Sequence, residues 1–181
     1  MSFFSINNAL LLVIDIQGNL AYAMHDKTTL FPKIQGAIKA ARIMGIPIVY
    51  TEQAPEKIGK TIPEISALLG GVKYFSKKSF SCCGAKGFLN YLQKSGKRQI
   101  IIVGIETHVC VFQTVADLLL ENYQVQVVAD AISSRHERDK DIALRRIQEM
   151  GGVLTSVEML VTELLRTAEH PKFKEILNLI R

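Results

Sequence analysis

The sequence predicts an α/β fold: a three-layer, doubly wound, mainly parallel sheet of six strands with helices on both faces. Three observations lead there. Short apolar runs rich in β-branched residues alternate six times with segments of helical periodicity. Two of those runs, ALLLVI at 9–14 and IIIV at 100–103, are apolar without alternation, as strands buried on both faces are. Turn residues close the units, at Gly45, Gly70-Gly71, Gly96 and Gly151-Gly152.

The first strand, 9–14, stops at Asp15-Ile16-Gln17-Gly18. A helix follows over about 29–44, with Leu30, Ile34, Ala37, Ile38 and Ala41 on one side and Gly45 as its stop. The second strand, 46–50, leads into a polar loop, 51–61, and Pro63 opens a short helix, PEISALL. The third strand, 72–76, is followed by Lys77-Lys78-Ser79-Phe80-Ser81 and a helix over about 85–94. Residues 98–122 form the central unit: a buried strand, Gly104 interrupting it, Thr107 where a helix N-cap would sit, and an apolar stripe of Val111, Val115, Leu118 and Leu119. Next come a fifth strand at 125–128, a helix over about 138–150 that buries Ile142, Leu144, the Arg145 stem and Ile147, and a sixth strand at 153–155. A helix over about 156–168 precedes an amphipathic tail helix over about 171–181. Its Phe173, Ile176, Leu177 and Ile180 need cover, from the same domain or from a partner subunit.

A length of 181 residues suits one α/β domain, spanning 1–181. The net charge is +5, but lysines and arginines are scattered rather than gathered in a stripe, which argues against a nucleic-acid partner. Asp15 breaks the only early apolar run and no basic n-region precedes it, so no signal peptide or membrane span is expected. Three cysteines, two of them adjacent, make no disulfide framework, and a reducing, cytoplasmic location is the expectation.

Cys110 falls in the first turn of a helix leaving the carboxyl end of a buried strand. Free N–H groups and the helix dipole lower a thiol's pKa there and favour an anion. Buried filler is the other common use of a free cysteine. Asp15 ends the first strand and Lys77-Lys78 leave the third, so a carboxylate, an ammonium and a thiol converge on one sheet edge. A carboxylate can take the thiol proton and a nearby cation stabilises the ionised pair. Gly59-Lys60-Thr61 looks like a loosened phosphate loop, but Pro63 disfavours the helix that such a loop must open. No Gly-x-Gly-x-x-Gly is present, and no Cys-x-x-Cys or His-x-x-x-His spacing supports a metal among His108, Cys110 and Cys82-Cys83. No cofactor and no metal are expected.

At these residues the sequence resembles the isochorismatase-like cysteine hydrolases. The matching pieces are LLVIDIQ (11–17), KKSFS (77–81), VGIETHVCV (103–111) and VVADAISSR (127–135). TEQAPEKIGKTIPEI (51–65), GIETHVC (104–110) and the HPKFKEILNLI tail (170–180) most resemble the isochorismatase domain-containing branch. The resemblance implies a Rossmann-like fold, a catalytic triad of Asp15, Lys77 and Cys110, and an oxyanion hole from the backbone N–H groups of Glu106 and Cys110. It also implies a cis peptide joining Ile105 and Glu106 and, commonly, a homo-oligomer. Lys77 is preferred to Lys78 because the family's lysine lies three residues before the aromatic of the Phe-Ser pair. Gln17, Gln53, Phe80 and Thr107 are candidate substrate contacts. The nicotinamidase Asp-x-His metal site is replaced here by Thr51-Glu52-Gln53, which disfavours nicotinamide. The expected activity is hydrolysis of a small-molecule amide-type C–N bond through a thioester at Cys110. The alternatives are a nicotinamidase- or isochorismatase-type activity, or a same-fold binding or scaffold module with little turnover. A fast thiol of depressed pKa, lost in Asp15→Asn, is the expected mark of the enzyme.

Overall fold

The computed structural model describes residues 3–180; the side chain of Ile180 and all of Arg181, the end of the expected tail helix, lie outside the described residues. β1 (Ala9–Ile14) is buried along its whole length. Its side chains alternate between two cores, because successive residues of a strand point to opposite faces. Leu11 and Val13 enter one core; Leu10, Leu12 and Ile14 enter the other. β4 (Gln99–Ile105) divides in the same way, with Ile101 and Val103 on the first side and Ile100 and Ile102 on the second.

The first face is covered by α2 (Lys27–Met44), α8 (Val157–Leu165) and α9 (Phe173–Ile180). The second is covered by α5 (Phe88–Ser95), α6 (Phe112–Leu120) and α7 (Glu137–Glu149). The remaining strands are β2 (Ile48–Gln53), β3 (Lys73–Lys77), β5 (Gln124–Ser133) and β6 (Val153–Thr155). The short helices are α1 (Gly18–Tyr22), α3 (Pro55–Ile58) and α4 (Pro63–Ser66). The sheet order is β3-β2-β1-β4-β5-β6 and every pairing is parallel. The chain winds outward from β1, returns to β4 beside it, and winds outward the other way. A crevice therefore opens past the carboxyl ends of β1 and β4, where ligands bind in sheets of this kind.

Gly104 sets the spacing of that crevice. It has φ +148°, and a Cβ there would meet the carbonyl oxygen of Ile14, with the Ile14 Cβ at 2.9 Å. The β4–β5 register shifts between Ile102 and Gly104 and then resumes as Gly104 opposite Ile132. That resumption carries β5 on to Ser133, past the 125–128 expected from its apolar run. Gly104→Ala is expected to destabilise the chain by about 3 kcal/mol, since neither backbone can yield. A shift in urea midpoint at unchanged m-value measures this.

The tail is settled by α9, which packs on α2 and α8 and buries Ile176. α7 corrects one expectation: its buried residues are Ala143 and Ile147, one turn apart, while Ile142 is 45% exposed. Among the described residues no helix is long and apolar enough to cross a membrane.

Candidate active site

Asp15 follows β1 directly, in the left-handed conformation at φ 53°. Ile14 pairs with Thr51 in the β1–β2 register, so Thr51 lies beside Asp15, and its hydroxyl donates to Asp15 Oδ1 at 2.7 Å. Lys77 arrives from β3, where alternation turns Phe75 and Lys77 inward and leaves Lys78 exposed. Its Nζ stands 2.5 Å from Asp15 Oδ2. The ammonium also donates to Gln53 Oε1 at 2.7 Å, Phe80 O at 2.9 Å and Ser79 O at 3.2 Å. These three acceptors use its three N–H groups. Asp15 Oδ2 is thus held by charge and, among the described residues, receives no directed hydrogen bond. Burial drags the Lys77 pKa down, but attraction to Asp15 and to the Cys82 and Cys110 sulfurs outweighs it, and the net shift is upward.

Cys110 sits in one wide, π-type helical turn, Thr107–Val111, that runs into α6. Two expectations are corrected at its start. The Ile105–Glu106 bond is not cis: no cis peptide occurs among the described residues, and Glu106 reverses the chain instead through left-handed backbone at φ 55°. Glu106, not Thr107, takes the cap position, and the fully buried Thr107 hydroxyl donates to Ser133 O at 3.0 Å. That side chain anchors β4 to β5 and does not line the cavity.

The thiol expectation also reverses. Burial first, and then the Asp15 carboxylate, push the Cys110 pKa up, with Lys77 pulling the other way. The partial charge of a helix start is outweighed by desolvation and a full negative charge close by. At rest the site therefore holds a carboxylate–ammonium pair and a protonated thiol.

Asp15 and Cys110 share the wall of a cavity of about 100 Å³, with Gln17, Leu20, Gln53, Ile58, Phe80, Ile105, Glu106 and Val109. Lys77 stands behind Asp15 with no exposed side-chain surface. Gln17 is anchored on every side: its Nε2 donates to Gly59 O at 2.6 Å and Gln53 O at 3.1 Å, and its Oε1 accepts from Gln53 N at 2.6 Å. It ties the 53–59 loop to β1. Gln53 in turn orients Lys77 and donates to Lys78 O at 2.8 Å. Phe80 is 53% exposed at the opening. The Gly59-Lys60-Thr61 segment is held by Glu52, whose Oε1 accepts from Thr61 N at 2.6 Å and Thr61 Oγ1 at 2.7 Å.

Sequence reasoning missed the Glu106 side chain. Arg135 grips its carboxylate with two hydrogen bonds of 3.2 Å, and His108 Nε2 lies 3.9 Å from Oε2. The signal available was Arg135 itself, at the end of VVADAISSR and just past β5 on the same sheet edge. Cys82 is buried beside this site. It lies 3.7 Å from the Thr51 hydroxyl, has no exposed surface, and has its pKa pushed up by burial to about 12. Among the described residues no cluster of three or more His, Cys, Asp or Glu is placed to hold a metal ion.

The isochorismatase domain model matches residues 9–159. Isochorismatase domain-containing protein 1 of Danio rerio is 40% identical over 147 residues, covering 81% of this chain and 52% of that protein. Isochorismatase domain-containing protein 2A of Mus musculus is 41% identical, covering 83% of this chain and 74% of that protein. The chain thus spans only about half the length of the first of these relatives. A solved structure described as the MAR1 ribonuclease of Caenorhabditis elegans superposes with a TM-score of 0.93 at 36% identity, covering 99% of this chain and 92% of that one. The YcaC protein of Escherichia coli, described as an octameric hydrolase of unknown specificity, shares the fold at a TM-score of 0.89 and 22% identity, with 99% and 95% covered. With the match to the domain model running through both halves of the sheet, the chain belongs to the isochorismatase domain family.

Proposed function

We propose that this chain hydrolyses small, non-peptide amide-type substrates, with Cys110 as nucleophile, Asp15 as proton carrier and Lys77 as the cation that holds them together. The observation that supports it most is the Asp15 carboxylate, fixed by Thr51 and Lys77 and presented with the Cys110 thiol at one cavity wall. Because the resting thiol keeps its proton, the transfer to Asp15 belongs to the moment of attack. Cys110 sulfur bonds to the substrate's carbonyl carbon as its proton passes to Asp15. The carbonyl π pair moves to oxygen, where the Glu106 and Cys110 N–H groups receive it. Collapse breaks the C–N bond, and Asp15 returns the proton to the leaving amine. Water, deprotonated by Asp15, then cleaves the thioester, releasing the acid and restoring the thiol.

The name of the Caenorhabditis relative suggests a second reading, RNA cleavage, and the net charge of +5 is the observation in its favour. The lining weighs against it: the charged side chains at the cavity, Asp15 and Glu106, are both acidic, and a phosphodiester is an anion. A panel of small amides and ureas assayed for ammonia release separates these readings, with single-stranded RNA alongside and Cys110→Ala as control. Cys110-dependent ammonia release is the expected result. RNA cleavage that survives Cys110→Ala, with no amide turned over, would overturn it.

A further inference from the structure

The charged side chains lining the cavity are Asp15 and Glu106, and both are acidic. Their counter-ions do not line it. Lys77 is sealed behind Asp15, and the Arg135 side chain, 52% exposed, meets Glu106 from the solvent side. His108 also faces Glu106 Oε2, while its Nδ1 shares a hydrogen bond of 2.9 Å with Ser134 Oγ. The Glu106 side chain keeps only 9% of its surface exposed, and two Arg135 contacts stop it from swinging out of the way. A fixed carboxylate beside a small cavity favours groups that donate N–H bonds and repels anions, because little water is left to screen it.

We infer that Glu106 is a selectivity residue: it admits reacting groups that are neutral or cationic and carry N–H donors, such as carboxamides, ureas and amidines, and turns carboxylates away. As a statement about substrates this rests on the hydrolase reading above. As a statement about the cavity it can be read without turnover. Iodoacetamide and iodoacetate have nearly the same size and alkylate the same sulfur, but one ends in an amide and the other in a carboxylate. The rate ratio at Cys110 in the intact chain, followed by mass spectrometry of the peptide bearing it, reports the selectivity after division by the same ratio for a free small thiol.

The wild type is expected to prefer iodoacetamide about tenfold more than the free thiol does, the size of a unit charge acting across a partly screened site. Glu106→Gln, uncharged and similar in shape, is expected to remove at least two-thirds of that preference. Arg135→Met takes away the masking cation, leaving His108 at 3.9 Å beside the carboxylate, and is expected to widen it. A wild-type ratio equal to the free thiol's, a preference for iodoacetate, or a Glu106→Gln ratio unchanged from wild type would each overturn the inference. The two readings fail separately. Absent ammonia release with the ratio intact removes the hydrolase, and a flat ratio with ammonia release intact removes the role of Glu106.

Discussion

Asp15→Asn is expected to abolish hydrolysis and, in the same protein, to make Cys110 alkylate faster than in the wild type. The first half follows from the loss of the proton carrier, which contributes on the order of 10²–10⁴ in rate at sites of this kind. The second half follows from charge. In the wild type burial and then the Asp15 carboxylate raise the Cys110 pKa, whereas Lys77 lowers it. Asparagine removes the anion, accepts the left-handed backbone at position 15, and leaves a buried ammonium without a counter-charge. Ionising the thiol is then the cheapest way to neutralise that cation. Since the variant's thiol pKa falls, its alkylation rate at neutral pH should rise by about tenfold for each pH unit of the fall. Iodoacetamide rates across pH measure it. A slower Cys110 in Asp15→Asn would mean that Asp15 activates the resting thiol, as the sequence alone suggests, and the account of the resting state would be wrong.

Lys77→Met should be the most destabilising single change at the site. The variant leaves the Asp15 carboxylate buried with the Thr51 hydroxyl as its remaining donor, and an orphaned buried charge costs about 3–5 kcal/mol. Activity should disappear with it. The double variant Asp15→Asn/Lys77→Met has neither charge to bury and is expected to recover most of the stability and none of the activity. Guanidinium midpoints for the two singles and the double complete the cycle. A Lys77→Met protein within about 1 kcal/mol of wild type would show that the pair is not buried as described.

How much of this was legible in the sequence depends on the distance over which each feature is decided. β1 at Ala9–Ile14 is where its apolar run puts it, because burial on both faces writes itself into consecutive residues, and the edge strand β6 at Val153–Thr155 also falls where expected. The family's spacing to Phe80-Ser81 favoured Lys77 over Lys78, but the inward turn of Phe75 and Lys77 on β3 belongs to the structure. Asp15 meets Lys77 and shares a cavity wall with Cys110, and their places at strand ends on one sheet edge pointed there. What failed was set by contacts between distant segments. β5 continues to Ser133 because β4 resumes pairing after its bulge, and Thr107 is diverted from capping by a carbonyl 26 residues away. The direction of the thiol shift was misread for the same reason. A helix start is visible in the sequence, but the depth of burial and the approach of a carboxylate from β1 are not. Glu106 was taken for its backbone alone because the arginine that holds its side chain comes from another loop.

In the proposed reaction the sulfur of Cys110 carries the acyl group between two proton transfers through Asp15. Acid quenching during turnover of a small activated ester, p-nitrophenyl acetate, with mass spectrometry of the peptides, tests it most directly. One acetyl group is expected on the peptide carrying Cys110, lost on further incubation in water and never formed in Cys110→Ala. Acetylation at a lysine instead, or ester turnover that persists undiminished in Cys110→Ala, would contradict it.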